Sequence, residues 1–352
     1  WGSIRMPSRE VYEKLLKSGY RVQEDPFTRY DSLESEEDLT GLMETLAEFR
    51  DAQGRNPVIT ANCAVANPDF AKIEASGFQE YYYEPFTETL KTYPQHRKTF
   101  ELWQQAIADK LFFPQLHCRE HLNVARWMRH LKMGRGDVRA AFANRMISLG
   151  DSYDTANKYV YMDAYNYDTP EEFAALKQIL LEGQALFTQI FGFFSKSFIA
   201  ACYIWSSDLE AELAKNGIEY IQGGDQQLIP RKSEGTHSLG RKRHFLGQVN
   251  RHQQIYLTRN CHFEPSWEPN FDPVDNCLAE IAAAFKWRKP ATISTHRLNY
   301  IGCIDENNRA KNLRLFSFLL SEIIKNWPEL EFITSVELGD LIRSGIDAKN
   351  EH

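Results

Sequence analysis

The sequence predicts an α/β protein whose parallel strands form a closed or nearly closed barrel. Short apolar runs rich in β-branched residues alternate along the chain with amphipathic runs of helical period, a pattern typical of parallel strands joined by helices. The strands are short and numerous, which favours a barrel over an open sheet. No internal repeat or low-complexity linker interrupts the 352 residues. We therefore expect a single domain over residues 1–352.

The first half of the chain contains the clearest helix starts. Ser8 opens an amphipathic run, and Ser35 with Asp38 has the spacing of a capping box. Residues 58–66 form a short apolar run that opens into a loop at Asn67-Pro68-Asp69, as expected of a buried strand. In this half, helices are predicted over residues 8–18, 35–50, 93–110, 120–132 and 137–149, and strands over residues 58–66 and 111–116.

The second half continues the alternation. Thr169 and Pro170 mark the start of a long helix, since proline is favoured at the first helical position. Residues 231–251 are rich in Lys, Arg, His and Gly, and they predict an exposed basic excursion, either a solvated loop or a lid over an anionic glycan. Here helices are predicted over residues 170–194, 207–215, 273–287, 307–326 and 336–344, and strands over residues 197–205, 218–221, 254–258, 291–295 and 331–335.

The composition narrows the classes of partner. The chain has 41 Lys+Arg against 48 Asp+Glu, a net charge of −7 without a long basic run, so no nucleic-acid partner is expected. The longest apolar stretch, residues 185–205, is interrupted by polar residues such as Lys196, and no membrane span is predicted. The 6 cysteines are far apart and form no CxxC pair, which predicts free thiols.

Two histidines four residues apart, His117 and His121, are the sharpest chemical feature. If a helix has begun by His117, both imidazoles lie on one face and can share a divalent ion. The alternative is a pair of polar residues at a helix start, because a chain with 10 histidines contains such a spacing by chance fairly often. The pair directly follows a short strand, and barrel enzymes collect catalytic residues at the carboxyl ends of strands. This placement favours a metal site.

Other predicted strand ends also carry polar groups. His296 follows the strand over residues 291–295 and is a candidate general acid or base, or else a hydrogen-bonded structural histidine. Asn62 and Asp69 lie at the end of the strand over residues 58–66. For Asp69 a helix cap is the simpler interpretation and substrate binding the alternative. Asp225, in the Gly-Gly-Asp turn of IQGGDQQ, is a turn residue in the simpler interpretation, and a substrate contact or a hydrogen-bonding partner of a catalytic histidine in the alternative.

The order of these motifs resembles that of the polysaccharide deacetylases, a carbohydrate esterase family with a distorted (β/α) barrel. FFPQLHCREH matches the family's two-histidine motif, and PATISTH resembles its last motif, with His296 in the catalytic place. SFIAACYIW followed by LEAELAKNGIEYIQGGD takes the position of the arginine motif and the strand after it. SFIAACYIW contains no Arg, however, and Arg259 and Glu264 are the nearest charged substitutes.

The resemblance implies a mechanism. A divalent metal, with Zn²⁺ favoured, would be held by His117, His121 and an aspartate before Trp1, and His296 would protonate the departing sugar group. The family's aspartates end a first strand that would precede Trp1, so we expect that strand to be missing from this sequence. Trp205 and Trp267 are the best aromatic candidates for stacking on a sugar, although ordinary core or rim packing is the simpler interpretation of each one taken singly.

Two other functions compete with carbohydrate deacetylation. The first is a glycoside hydrolase or lyase that uses carboxylates such as Asp69 and Glu264. The second is a non-catalytic glycan-binding relative. In all three cases the partner is a carbohydrate. No signal peptide is visible near Trp1, which favours the cytoplasm.

Overall fold

The computed structural model describes residues 1–150, 161–230, 239–267 and 271–350. Its strands are β1 (Ile59–Ala64), β2 (Ala66–Pro68), β3 (Tyr83–Pro85), β4 (Phe112–Cys118), β5 (Ser197–Ile199), β6 (Tyr220–Gly223), β7 (Gln226–Pro230), β8 (Leu239–Arg243), β9 (Ile255–Thr258), β10 (Cys261–His262) and β11 (Ile293–Ser294). Its α-helices are α1 (Arg9–Lys17), α2 (Pro26–Tyr30), α3 (Glu36–Ala47), α4 (Phe70–Ala75), α5 (Phe86–Lys91), α6 (Thr99–Ala108), α7 (Val124–Lys132), α8 (Gly136–Ala143), α9 (Pro170–Phe191), α10 (Glu210–Lys215), α11 (Pro273–Lys286), α12 (Glu306–Asn326) and α13 (Ser335–Asn350).

A five-stranded parallel sheet forms the centre of the molecule, in the order β1-β4-β5-β6-β9. The pairs Leu116 with Phe198 and Ile221 with Tyr256 fix the register of its middle strands. Helices are packed against these strands, which is why the strands are almost continuously apolar. Trp103, Trp127 and Phe187 are fully buried in the main hydrophobic cluster. The predicted parallel α/β architecture is confirmed.

The central sheet is open, so the predicted barrel is not confirmed. After β9 the chain leaves the sheet, because Asn260 N and Cys261 N both donate to Thr292 O beside β11. Strands β10 and β11 therefore make a separate parallel pair of only two residues each. At the opposite edge, the main chain of Trp1 accepts a hydrogen bond from Ala64 N. Across the described parts of the chain, no strand joins β9 back to β1.

Most predicted helices are present, and their caps explain where they start. Ser8 accepts a hydrogen bond from Val11 N, and Ser35 and Asp38 form the expected capping box. Thr169 caps α9, which has Pro170 at its first position. Helix α2 was not predicted, although Asp25 followed by Pro26 is a start signal and the Asp25 side chain does cap it.

Three predicted elements differ clearly from the structure. The strand predicted over residues 197–205 ends at Ile199, and a 3-10 turn over Ala201–Tyr203 follows it. Helix α7 begins at Val124 rather than at residue 120, because the Asn123 side chain caps it by accepting a hydrogen bond from Arg126 N. Residues 331–335 are not a strand. There Phe332 N donates to Asp51 Oδ2 at 2.8 Å and Ser335 N donates to Thr60 Oγ1 at 3.1 Å, so side chains take the hydrogen bonds that a strand would need.

The basic excursion is a hairpin in its described part. Strands β7 and β8 pair antiparallel, and residues 231–238 between them lie outside the described residues. Arg241, Lys242 and Arg243 on β8 are exposed. All six cysteines are free thiols, as predicted. No helix in the described ranges is long and apolar enough to cross a membrane.

Candidate functional site

A cavity of about 520 Å³ opens where the strands of the central sheet end. It lies at the carboxyl ends of β1, β4, β5 and β9, the edge at which open α/β sheets commonly bind ligands. Six of the residues selected from the sequence are among those that line it: Asn62, His117, His121, Arg259, Trp267 and His296.

His117 and His121 face each other in this cavity, with ring centroids 4.7 Å apart. The helical spacing predicted for them is wrong. His117 belongs to β4, and His121 lies in the bend before α7. The chain turns back within that bend because Leu122 N donates to Glu120 O at 2.8 Å. A strand followed by a bend thus produces the contact for which a helix was expected.

Both histidines are held in the neutral form. Burial lowers the pKa of His117 to about 3, and burial together with the neighbouring His117 and Arg5 lowers the pKa of His121 well below its usual value. His117 Nδ1 lies 2.8 Å from Ile199 O. A carbonyl only accepts, so Nδ1 carries the hydrogen and Nε2 keeps its lone pair.

Neutral imidazoles with available lone pairs are the form that binds metal ions. A backbone carbonyl on the second ring nitrogen, as at His117, is typical of metal-bound histidines. His121 Nδ1 is buried and has no hydrogen-bond partner among the described residues. The pair therefore fits two ligands of a divalent ion. Within the described ranges, however, no group of three or more His, Cys, Asp or Glu side chains is placed to hold a metal.

His296 is oriented by Glu264. Its Nδ1 lies 2.7 Å from Glu264 Oε1, and its backbone N–H donates to the same carboxylate at 3.3 Å. Asn299 Nδ2 also donates to Glu264, at 2.9 Å. Glu264 does not itself line the cavity. Its contacts make it a positioning partner of His296, whereas the sequence suggested a substrate contact.

Aromatic rings surround His296. The ring centroids of Phe27 and Trp267 lie 5.4 and 5.3 Å from that of the imidazole, both in edge-on geometry. Trp267 remains 44% exposed, so part of its ring is open to a ligand. Phe27 was not identified from the sequence, because it reaches His296 only through the fold.

Arg259 lines the cavity beside Tyr203. Its Nη2 donates to the Tyr203 hydroxyl, and its guanidinium carbon lies 5.3 Å from the centre of the tyrosine ring. Tyr203 and Cys202 both have left-handed backbone, with φ of 56° and 55°. Such angles cost non-glycine residues about 1–3 kcal/mol and occur frequently at functional sites. The strained turn after β5 therefore places Tyr203 against Arg259.

Besides Glu264, three residues selected from the sequence do not line the cavity. Asp69 caps α4, accepting from Lys72 N at 3.0 Å, and pairs with the Lys72 ammonium at 2.9 Å. Trp205 is 2% exposed in the core, where its Nε1 donates to Glu210 at 3.2 Å. Asp225 is exposed in the turn between β6 and β7. Asn62 does reach the cavity, where its side-chain oxygen accepts from Gln222 Nε2 at 3.0 Å.

Two arginines to which the sequence assigned no role in the site also line the cavity. Arg297 is buried and pairs with Asp31 at 2.9 Å and Glu34 at 2.8 Å. Arg5 lies 3.6 Å from Asp31 and sits over the ring of Phe27. Arg297 directly follows His296, but its partners are more than 260 residues away. No local pattern could have identified them.

No family model matches this sequence, and no curated protein matches it. Among solved structures, the chain is similar to a crystal structure described as a "putative polysaccharide deacetylase from Mycobacterium smegmatis". The two share 9% identity with a TM-score of 0.46, and the match covers 97% of this chain and 90% of that one. A likeness this distant carries no argument about activity, which must come from the cavity itself.

Proposed function

We propose that this protein is a metal-dependent hydrolase that removes acetyl groups from a carbohydrate. The observation that carries the proposal is the presence of two different histidine arrangements in one cavity. His117 and His121 are neutral and 4.7 Å apart, and His296 is held separately by a carboxylate. Hydrolysis of an acetyl group needs a polarised carbonyl and a proton donor for the leaving group, and these arrangements suit those two tasks.

His117 and His121 are the residues that would hold the metal. His117 Nε2 is free to bind because Nδ1 donates to Ile199 O. Zn²⁺ suits imidazole ligands well, although other divalent ions bind them too. When bound, such an ion polarises an acetyl carbonyl and makes water more acidic. The proposal requires a further ligand besides these two imidazoles.

His296 would deliver the proton. A carboxylate only accepts, so Nδ1 carries one hydrogen in their 2.7 Å contact, and the proton passed to the departing sugar group would be a second one, carried on Nε2. Glu264 is itself held by Asn299, which limits rotation of the pair. The exposed face of Trp267 beside His296 offers a surface on which a sugar ring can stack.

The carboxylate-based alternative has less support. Glycoside hydrolysis uses two carboxyl groups on either side of the scissile bond. Asp69 and Glu264 were the sequence candidates, but Asp69 caps α4 and Glu264 is bound to His296 and Asn299. Neither side chain lines the cavity. Acetyl removal is therefore the better proposal.

The test combines metal analysis with acetate release from acetylated glycans. We expect the parent protein to bind a divalent metal and His117→Ala to lose it. His296→Gln should keep the metal and release acetate at least a hundredfold more slowly. His262→Gln is the matched control, because His262 also pairs with a carboxylate, Glu280 at 3.2 Å, but is exposed and does not line the cavity.

Several outcomes would contradict the proposal. Absence of metal from the parent protein after incubation with zinc would remove the metal-dependent mechanism. New reducing ends or unsaturated sugars in place of acetate would show a glycoside hydrolase or lyase. Sugar binding that persists without turnover in the metal-loaded protein would show a glycan-binding protein.

A further inference from the structure

Arg259 is a positive charge without a carboxylate partner in the described part of the chain. Among the described residues, its side chain contacts Tyr203, through the neutral hydroxyl and the ring face. Its Nε is enclosed, and no acceptor among the described residues reaches it. Arginine is always charged in proteins, and removing an unpaired charge from water is costly. An anion bound in the cavity could therefore pair with the Arg259 guanidinium.

Arg5, which lines the same cavity, has a carboxylate neighbour but no close hydrogen bond to it. Its nearest carboxylate oxygen belongs to Asp31, at 3.6 Å, beyond good hydrogen-bond distance. Arg297 already binds both oxygens of Asp31, at 2.9 and 3.0 Å. The other close neighbour of the Arg5 guanidinium is the ring of Phe27, 5.0 Å away. Asp31 and Glu34 both bind Arg297 closely, whereas Arg5 has only the longer contact with Asp31.

The other carboxylate that lines the cavity, that of Asp25, is not paired with Arg259. Within the described ranges, the acidic residues that line the cavity are Asp25 and Asp31, whereas the basic ones are Arg5, Arg259 and Arg297. Asp25 is the cap of α2, and its Oδ1 accepts from Phe27 N at 2.9 Å. Glu34, which binds Arg297 at 2.8 Å from behind the cavity wall, balances one of the three arginines. Arg259 is the cavity charge left without a carboxylate contact among the described residues, and an anion bound beside it would lower its free energy.

We propose that the carbohydrate bound by this cavity carries an anionic group, a carboxylate or a sulfate, recognised by Arg259 and Arg5. This inference rests on the proposed carbohydrate-modifying function and narrows its substrate class. The planar guanidinium binds such oxyanions through paired, charge-assisted hydrogen bonds. The recognised group would lie in the same cavity as His117 and His296, on the acetylated sugar or its neighbour.

The test is a comparison of matched sugars for binding, with a chelator present so that no metal ion contributes. For carboxylate, a hyaluronan tetrasaccharide is compared with chitotetraose. For sulfate, N-acetylglucosamine 6-sulfate is compared with N-acetylglucosamine. At low ionic strength we expect at least one charged sugar to bind tenfold or more tightly than its neutral counterpart. Added salt should reduce that preference.

The variants assign the preference to the two arginines. Arg259→Gln and Arg5→Gln should each weaken binding of the preferred charged sugar about tenfold or more and leave the neutral one unchanged. Arg9→Gln is the control, since it removes the same charge from an exposed residue of α1. If a Gln variant fails to fold, Arg259→Lys and Arg5→Lys keep the charge, and they should retain part of the preference.

The inference is overturned if neutral sugars bind as well as charged ones, if no sugar binds, or if the preference survives both Gln substitutions. It is also overturned if Arg9→Gln has the same effect. Because the measurement is binding, its failure is distinct from failure of the proposed reaction. A protein that prefers charged sugars but releases no acetate would contradict the deacetylase proposal alone, and the reverse result would contradict only the charge selectivity.

Discussion

Replacement of Arg297 by methionine should lower the free energy of unfolding by about 3–5 kcal/mol, because it leaves two buried carboxylates without their partner. Arg297 Nε and Nη2 bind both oxygens of Asp31, and Nη1 binds Glu34 at 2.8 Å. Nη2 also donates to Ser3 O at 2.8 Å. The side chains of Arg297, Asp31 and Glu34 are only 6, 5 and 0% exposed, so water cannot replace the lost bonds.

The magnitude follows from opposing effects at this cluster. Four charge-assisted hydrogen bonds at about 1.5–3 kcal/mol each would sum to more than the expected loss. Removal of the guanidinium also removes the cost of burying it, which reduces the difference. Burial lowers the pKa of Arg297, but Asp31 and Glu34 more than offset that effect and leave the pKa above its usual value. The charged cluster is therefore stable as a unit and costly to break.

The assay is urea unfolding of the parent, Arg297→Met and Arg9→Met at neutral pH. Arg9 pairs with Glu13 on the surface of α1, and the loss of such an exposed pair should cost about 0.5 kcal/mol or less. Adding Glu34→Gln to Arg297→Met should recover part of the loss, because one unpaired buried charge disappears. A loss below about 1 kcal/mol for Arg297→Met, or one equal to that of Arg9→Met, would refute the reasoning.

Three further predictions concern other parts of the molecule. Burial, with Arg135 and other nearby positive charges, lowers the pKa of His130 to about 4. His130 therefore binds a proton near pH 6.5 in the unfolded chain but only near pH 4 in the folded protein. The free energy of unfolding falls as pH decreases from about 6.5 towards 4. Between about pH 7 and pH 5 the parent should lose about 2 kcal/mol more than His130→Gln, measured by urea unfolding, and equal losses would contradict the prediction. Trp267→Ala should weaken sugar binding about two- to tenfold without changing metal content, and loss of metal instead would place Trp267 in a structural role. Arg288 has φ of 54° after the end of α11 and is exposed. Arg288→Gly should raise the free energy of unfolding by about 0.5–1 kcal/mol, and a decrease in urea unfolding would show that its side chain stabilises the helix end.

The local signals of the sequence predicted most elements well. Ser35 and Asp38 are three residues apart, and their capping box is formed by neighbours that meet in any helix starting there. Where a competing local signal was overlooked, the prediction failed. Asn123 is a strong helix cap, and giving it weight would have moved the start of α7 past His121.

For the site, the sequence predicted several of the residues that line the cavity but not the roles or positions of others. His117, His121, Asn62 and Arg259 meet in one cavity because the parallel strands of the central sheet bring their carboxyl ends to the same edge, and His296 joins them from the end of β11. The role of Glu264 was not visible, since it depends on a hydrogen bond between residues 32 positions apart. Trp205 was a candidate because of its aromatic ring, but its side chain is buried in the core beside Glu210 and does not line the cavity.

By itself, the sequence determined the α/β alternation, most helix starts and the histidines that the cavity contains. These depend on periodicity, capping and residue type, which act over a few neighbouring residues. Only the tertiary structure decided that the sheet is open, that His117 and His121 meet across a bend, and that Arg297 binds Asp31. Strand register and ion pairing depend on packing between segments far apart in the chain, and no local pattern encodes which distant partner is chosen.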